Sequence, residues 1–189
     1  MAQCKDVSVT ADSVCTAAAS IDNGSYDPEN DPITLTQSPP GPYSNGNTLV
    51  TLTVSDDQGT SSQCTGTVTV EDNTPPAITS ISVNPSVLWP PNHKMVPVSV
   101  SVSASDNCDS KPVCKITSVS SNEPENGLGD GDTAPDWKIT GKLTANLRAE
   151  RSGNGNGRIY TLTITCNDTA GNSSSKWVTV KVPHDQGKK

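Results

Sequence analysis

Val50, Leu52 and Val54 alternate with Thr51, Thr53 and Ser55, the period-two pattern of a strand with one buried face. The same phrase returns as Leu162, Ile164 and Cys166 alternating with Thr163, Thr165 and Asn167. The offset is a constant 112 residues, position 50 falling on 162, and it persists through Val68 and Val70, which meet Val180 and Val182. A gapless match of this length marks an internal repeat. Each copy carries Asp, two residues and Gly after its first strand, at Asp56 to Gly59 and Asp168 to Gly171. The aspartate opens a turn and the glycine supplies positive φ, so each copy predicts a β-hairpin.

The diproline Pro75-Pro76 cannot continue a ladder, so the sequence divides into an expected first module, 1–74, and a second, 75–189. In the second, Ala77 to Val83, Val96 to Ala104, Val113 to Val119, Trp137 to Ala149, Arg158 to Cys166 and Lys176 to Val182 read as strands bounded by Gly, Pro, Asn or Asp. Leu143, Ala145, Leu147 and Ala149 alternate up to the Ser152 to Gly157 tip, and Tyr160, Leu162 and Ile164 resume after it, which predicts a long hairpin. No segment has helical periodicity. The expected fold class is all-β: two tandem immunoglobulin-like β-sandwich domains, the second with an acidic, Gly-rich insertion at about 121–137.

Composition sharpens this picture. Hydrophobic residues make up 31% of the chain and Phe is absent, so the cores must be thin and built from small, often β-branched side chains. The formal net charge of −7 comes without a Lys/Arg run, which argues against nucleic acid or an anionic membrane surface as partner and in favour of cations. No apolar run reaches the roughly 20 residues of a membrane span, and the N-terminus lacks signal-peptide regions. Met1 reads as an added start on a fragment of a larger protein. Six cysteines without a CxxC pair, beside two His, point to disulfides formed in an oxidising compartment.

Three stretches carry a family resemblance: Ala2-Gln-Cys-Lys-Asp-Val-Ser-Val9, Ile21-Asp-Asn-Gly-Ser-Tyr-Asp-Pro28, and the Thr51 to Val70 strand pair running into Asp72-Asn-Thr-Pro-Pro76. Together they resemble the HYR-like and PKD-like modules strung along large secreted bacterial surface proteins. That resemblance implies an extracellular β-sandwich used as spacer, adhesin segment or appendage, and it marks an architecture rather than an activity. The segment from Leu88 to Asp136 departs from the pattern.

Candidate chemistry concentrates in acidic loops. Asp130, Asp132 and Asp136, preceded by Glu123, Glu125 and Asn126, offer oxygen ligands in a Gly-rich stretch, the donor set calcium takes. It is not an EF-hand, since no frame places Glu at position 12. A second set is Asp22, Asp27, Glu29, Asn30 and Asp31 in the first module. A third lies at the junction, where Glu71, Asp72 and Asn73 are expected to meet Asp106, Asn107 and Asp109. The insertion is the strongest of the three, and at the other two a solvated acidic loop or turn is the plainer reading.

Cys4 with Cys64 is the first expected disulfide, joining the first and last strands of the first module. Cys114 is expected to pair with Cys108 in a local loop or with Cys166 between strands, and Cys15 and Cys166 are the expected leftovers. Trp89 and Trp137 are structural plugs or, if exposed on one face, a sugar-binding platform. No GxSxG, HExxH or P-loop occurs, and the GNGNG tip has no following helix to cradle phosphate. The Asn-x-Ser/Thr sites at Asn23, Asn167 and Asn172 are what so Ser/Thr-rich a chain yields by chance. The sequence therefore reads as a non-catalytic, secreted or cell-surface structural and adhesive module pair. Calcium would stabilise it, and it would assemble with other modules or copies of itself into a surface filament or array. The alternative is a carbohydrate-binding accessory module of a secreted enzyme, with glycans as partners.

Overall fold

A computed structural model describes residues 1–125 and 134–185. The chain is all-β, with no helix among the described residues, and folds as two compact units, Met1–Thr74 and Pro75–Lys189.

In unit 1 the strands are β1 (Val7–Thr10), β2 (Thr16–Ala17), β3 (Ile33–Ser38), β4 (Tyr43–Ser44), β5 (Gly46–Asp56) and β6 (Ser61–Glu71). One sheet runs β1-β6-β5-β3, with β1 parallel to β6, and β2 pairs with β4. Val50, Leu52 and Val54 from β5 and Val68 and Val70 from β6 are buried, together with Ile21 and Tyr43. Polar groups buried at the edge of this core are satisfied by Gln37: its Oε1 accepts from the Ile21 amide (2.7 Å) and its Nε2 donates to the Ala19 carbonyl (3.0 Å) and the Tyr43 hydroxyl (2.8 Å). Gly66 is required by close approach, because a Cβ there would lie 2.5 Å from the Lys5 carbonyl oxygen.

Among the described residues, unit 2 is a sandwich of seven strands, β7 (Ala77–Asn84), β8 (Met95–Ser105), β9 (Val113–Ser121), β10 (Trp137–Gly141), β11 (Thr144–Arg148), β12 (Gly157–Asn167) and β13 (Ser173–Pro183). The sheets are β10-β11-β8-β7 and β13-β12-β9. Inward positions of both build the core, including Val98, Val100, Ile116, Ala145, Leu147, Tyr160, Leu162, Ile164 and Val180. The Lys176 ammonium donates to the Ile78 carbonyl (2.6 Å) and the Ser174 hydroxyl to the Pro76 carbonyl, tying β13 to β7.

The repeat is realised residue for residue. Leu52 faces Cys64 across β5–β6 and Ile164 faces Lys176 across β12–β13, the same register displaced by the repeat length. Both turns are built alike. Asp56 Oδ1 accepts from the Thr60 amide and Asp168 Oδ1 from the Asn172 amide, each at 2.8 Å, and Gly59 and Gly171 sit at φ 88° and 97°.

The expected long hairpin through the Ser152 to Gly157 tip is corrected. β11 pairs with β8 and β10, whereas β12 pairs with β9 and β13, so the chain passes from one sheet to the other at this tip. Trp137 to Ala149 is likewise two strands rather than one, with a turn after Gly141.

Candidate functional site

All six cysteines are disulfide-bonded. Cys4 bonds Cys64, and Cys114 bonds Cys166 across the β9–β12 ladder, where the two residues face each other. The local Cys108–Cys114 loop is thereby corrected, and neither Cys15 nor Cys166 is a leftover thiol: the ladder register puts Cys166, not Cys108, opposite Cys114.

The strongest concentration of charge lies in unit 2, where the acidic insertion leaves and rejoins the sandwich. Arg158, at the start of β12, is fully buried because it shares the inward phase of Tyr160, Leu162 and Ile164. Its guanidinium binds the Asp136 carboxylate through Nη1 and Glu123 Oε2 through Nε (3.3 Å), and Nη2 donates to the Pro124 carbonyl (3.3 Å). Arg148, on β11, donates to the carbonyls of Pro135 (2.9 Å) and His93 (2.8 Å). Glu150 is fully buried and its Oε2 meets His93 Nδ1 at 3.1 Å. The Tyr160 hydroxyl donates to the Arg148 carbonyl (2.9 Å) beneath the cluster, with Trp137 edge-on to its ring.

Burial shapes the proton affinities here. It pushes the Tyr160 hydroxyl up to about 12 despite the neighbouring guanidinium. It also raises the Glu150 carboxyl, partly countered by His93 and reinforced by Asp136. At Arg158 burial works against the charge, but contact with Tyr160 and Asp136 outweighs it and the proton is held more tightly.

This geometry removes two residues from the expected insertion site for calcium. Asp136 and Glu123 face guanidinium groups, which neutralise the charge a cation would need. Asp130, Asp132 and Asn126 lie outside the described residues. The first-module set is corrected as well: among the described residues Asp22, Asp27, Glu29 and Asp31 do not converge. Their oxygens anchor turns instead. Asp27 Oδ1 accepts from the Glu29 (2.8 Å) and Asp31 (3.2 Å) amides, Asp31 Oδ2 accepts from Gln58 (3.1 Å), and Ser25 holds the Asp22 carboxyl below its ordinary value. A shallow depression of about 520 Å³ beside Asp27, Glu29 and Asp56 contains no buried titratable group.

At the other end of β12 a smaller acidic pair forms. Asp106, just after β8, and Asp168, just after β12, bring carboxylate oxygens within 4.8 Å of one another. Asp106 Oδ1 accepts from the Cys108 (2.9 Å) and Asp109 (2.8 Å) amides, while its Oδ2 is buried without a hydrogen-bond partner. Asp109 Oδ1 caps the Lys111 amide (2.8 Å), and in unit 1 Asp72 Oδ1 accepts from Thr74 (3.1 Å). Glu71 is exposed at the end of β6. Sequence alone marks Asp168 as a turn residue, because its repeat partner Asp56 builds the same turn; the approach of Asp106 is what sets it apart.

The expected tryptophan platform is corrected. Trp89 is exposed as the platform requires (43%), but Trp137 packs against the core rather than facing solvent, and the most open indole is Trp177 on β13, 68% exposed. Sequence alternation could have found this, since Trp177 is out of phase with Val178, Val180 and Val182.

Fold and site together define a pair of disulfide-bonded all-β sandwich units. No family model matches the chain, and no curated protein matches it. Solved structures similar to it include human protocadherin-24 EC1-2, at 20% identity over 95% of this chain and 94% of that one, with a TM-score of 0.39. Protocadherin PcdhgB3 EC1-4 is 14% identical over 95% and 48% of the two chains, at 0.40, and the human desmocollin-1 ectodomain 14% over 100% and 38%, at 0.30. These neighbours are cadherin extracellular domains, and at such scores the likeness adds nothing to the functional argument. Among the described residues no helix is long and apolar enough to cross a membrane.

Proposed function

We propose that the chain is a non-catalytic structural and adhesive module pair of a secreted or cell-surface protein, whose partners are other modules or copies of itself. The observation that carries this reading is how each unit is held. Thin cores of Val, Leu, Ile and Ala are bridged by Cys4–Cys64 and Cys114–Cys166, and no thiol is free. Such a build suits stiffness in an oxidising medium.

Calcium belongs to the same proposal. The convergence of Asp106 and Asp168, with the buried and unpartnered Asp106 Oδ2, supports a cation at that end of unit 2. Asp109 stands as a further ligand on chemistry alone. The carbohydrate-binding alternative loses its support with the Trp89 and Trp137 platform. The test is a calcium titration of the whole chain followed by melting temperature and light scattering. Calcium at about a hundred times its dissociation constant stabilises the folded state by about 2.7 kcal/mol, so melting should rise. Particle growth that a chelator reverses supports assembly, a rise without growth leaves a calcium-stiffened spacer, and no response removes calcium from the account.

A further inference from the structure

We propose that Glu150 and Asp136 share one proton between Glu150 Oε1 and Asp136 Oδ1, and that this proton latches the stems of the acidic insertion to the sandwich. Both carboxyl groups are fully buried. Each has one oxygen occupied: Asp136 Oδ2 binds Arg158, and Glu150 Oε2 meets His93 Nδ1 at 3.1 Å. Each also has one buried oxygen without a hydrogen-bond partner, and these are Asp136 Oδ1 and Glu150 Oε1. The Glu150 and Asp136 side chains are in hydrogen-bonding contact, and two acceptors that meet cannot satisfy each other unless one of them carries a hydrogen. The nearby guanidinium groups do not supply it, since Arg158 Nη1 lies 3.7 Å from Glu150 Oε1 and Arg148 Nε 3.9 Å from Asp136 Oδ1, beyond hydrogen-bonding reach.

Glu150 is faced by His93 from the loop before β8, Arg148 from β11, Asp136 from the segment before β10, and Arg158 and Tyr160 from β12, with Glu123 on the far side of Arg158. His93 could carry the shared proton instead, but its side chain is 53% exposed, and a proton there leaves both inner oxygens unsatisfied. Like charges in close contact raise the proton affinity of one carboxyl, the direction in which burial and Asp136 move Glu150.

What the proton secures is local. The Asp136 carbonyl accepts from the Arg148 amide (2.7 Å), Arg148 holds the Pro135 carbonyl, and Arg158 holds the Pro124 carbonyl. Ionising Glu150 sets a second negative charge against Asp136 and loosens both stems. Because the folded carboxyl binds its proton more tightly than the unfolded one, the stabilisation is complete below the ordinary glutamate value. It is lost as pH rises through the raised one.

The experiment uses the full chain with Trp89→Phe and Trp177→Phe, which leaves Trp137, next to Asp136, as the only indole. Melting followed by Trp137 emission is recorded from about pH 5 to about pH 9, with Glu150→Gln and His93→Gln added separately. The parent should lose roughly 4 °C or more as pH rises, the size of about a 1 kcal/mol change in a domain of this length. Glu150→Gln should be level, because the amide hydrogen permanently replaces the shared proton, and His93→Gln should keep the fall. A flat parent curve, or a Glu150→Gln curve that still falls, overturns the proposal. So does abolition of the fall by His93→Gln, which would assign the effect to the imidazolium. Should Glu150→Gln not fold, the parent and His93→Gln curves still decide the matter.

Discussion

The two ends of β12 hold their acidic residues in opposite ways. At the Arg158 end, Asp136, Glu123 and Glu150 are gathered around two arginines, and their positions follow from where the guanidinium groups reach. At the Asp168 end, roughly 30 Å along an 11-residue strand, Asp106 and Asp168 approach each other, and the hydrogen bonds they accept there come from backbone amides and the Asn172 side chain. That end is fastened covalently instead, through Cys114–Cys166. The difference teaches that a dense run of carboxylates does not announce its own counter-charge. One cluster is met by guanidinium groups, while the carboxylates of the other are met by backbone amides and an asparagine side chain.

The sharpest way to break the comparison is Arg158→Met. Removing the guanidinium while leaving Asp136 and Glu150 buried strands two carboxyl groups, and loss of one partner of a buried ion pair costs about 3–5 kcal/mol. Urea unfolding should show a midpoint reduced accordingly, and a loss under about 1 kcal/mol would mean the cluster is ornamental to the fold. The opposite end is tested by replacing Cys114 and Cys166 together with Ala. The bond closes a separation of 52 residues, and its removal is expected to cost about 2–4 kcal/mol, chiefly by freeing the unfolded chain. The same urea titration measures it. An unchanged midpoint would assign the fastening of that end to packing alone.

Much of this was legible in the sequence, and the limit is physical. Alternation identifies which face of a strand is buried, so Val50, Leu52, Val54, Leu162, Ile164 and Cys166 could all be placed in a core, and the Asp-x-x-Gly spacing located both hairpin turns. Alternation does not identify the partner strand. β11 and β12 both turn apolar faces inward, which fits a hairpin and a passage between sheets equally well, and only the packing of two layers separates them. The acidic insertion drew attention to Asp136 and Glu123 as ligands because carboxylates are counted easily. The overlooked signal was Arg158, which keeps step with Tyr160, Leu162 and Ile164. A guanidinium in core phase demands buried carboxylates, and the nearest supply was the insertion. The junction candidates Asp106 and Asp109 were visible as acids, but Asp168 was hidden by its repeat partner Asp56, whose identical turn makes it look structural only.

Asp168→Asn gives the smallest expected effect and separates the two ends most cleanly. In cation-free buffer the substitution keeps an acceptor for the Asn172 amide and forfeits the contact between Asn172 Nδ2 and Asp168 Oδ2 (3.0 Å). It also removes a negative charge facing Asp106. One lost hydrogen bond set against one relieved repulsion leaves a net change of about 0.5 kcal/mol or less. Adding calcium changes the sign of the argument, because the repulsion relieved by the amide is the same charge a cation needs. The unsubstituted chain should then gain melting temperature and Asp168→Asn should not, so the gap between them opens only with the metal. If Asp168→Asn weakens the cation-free protein as much as Arg158→Met does, the two ends are held by the same kind of force and the contrast drawn between them fails.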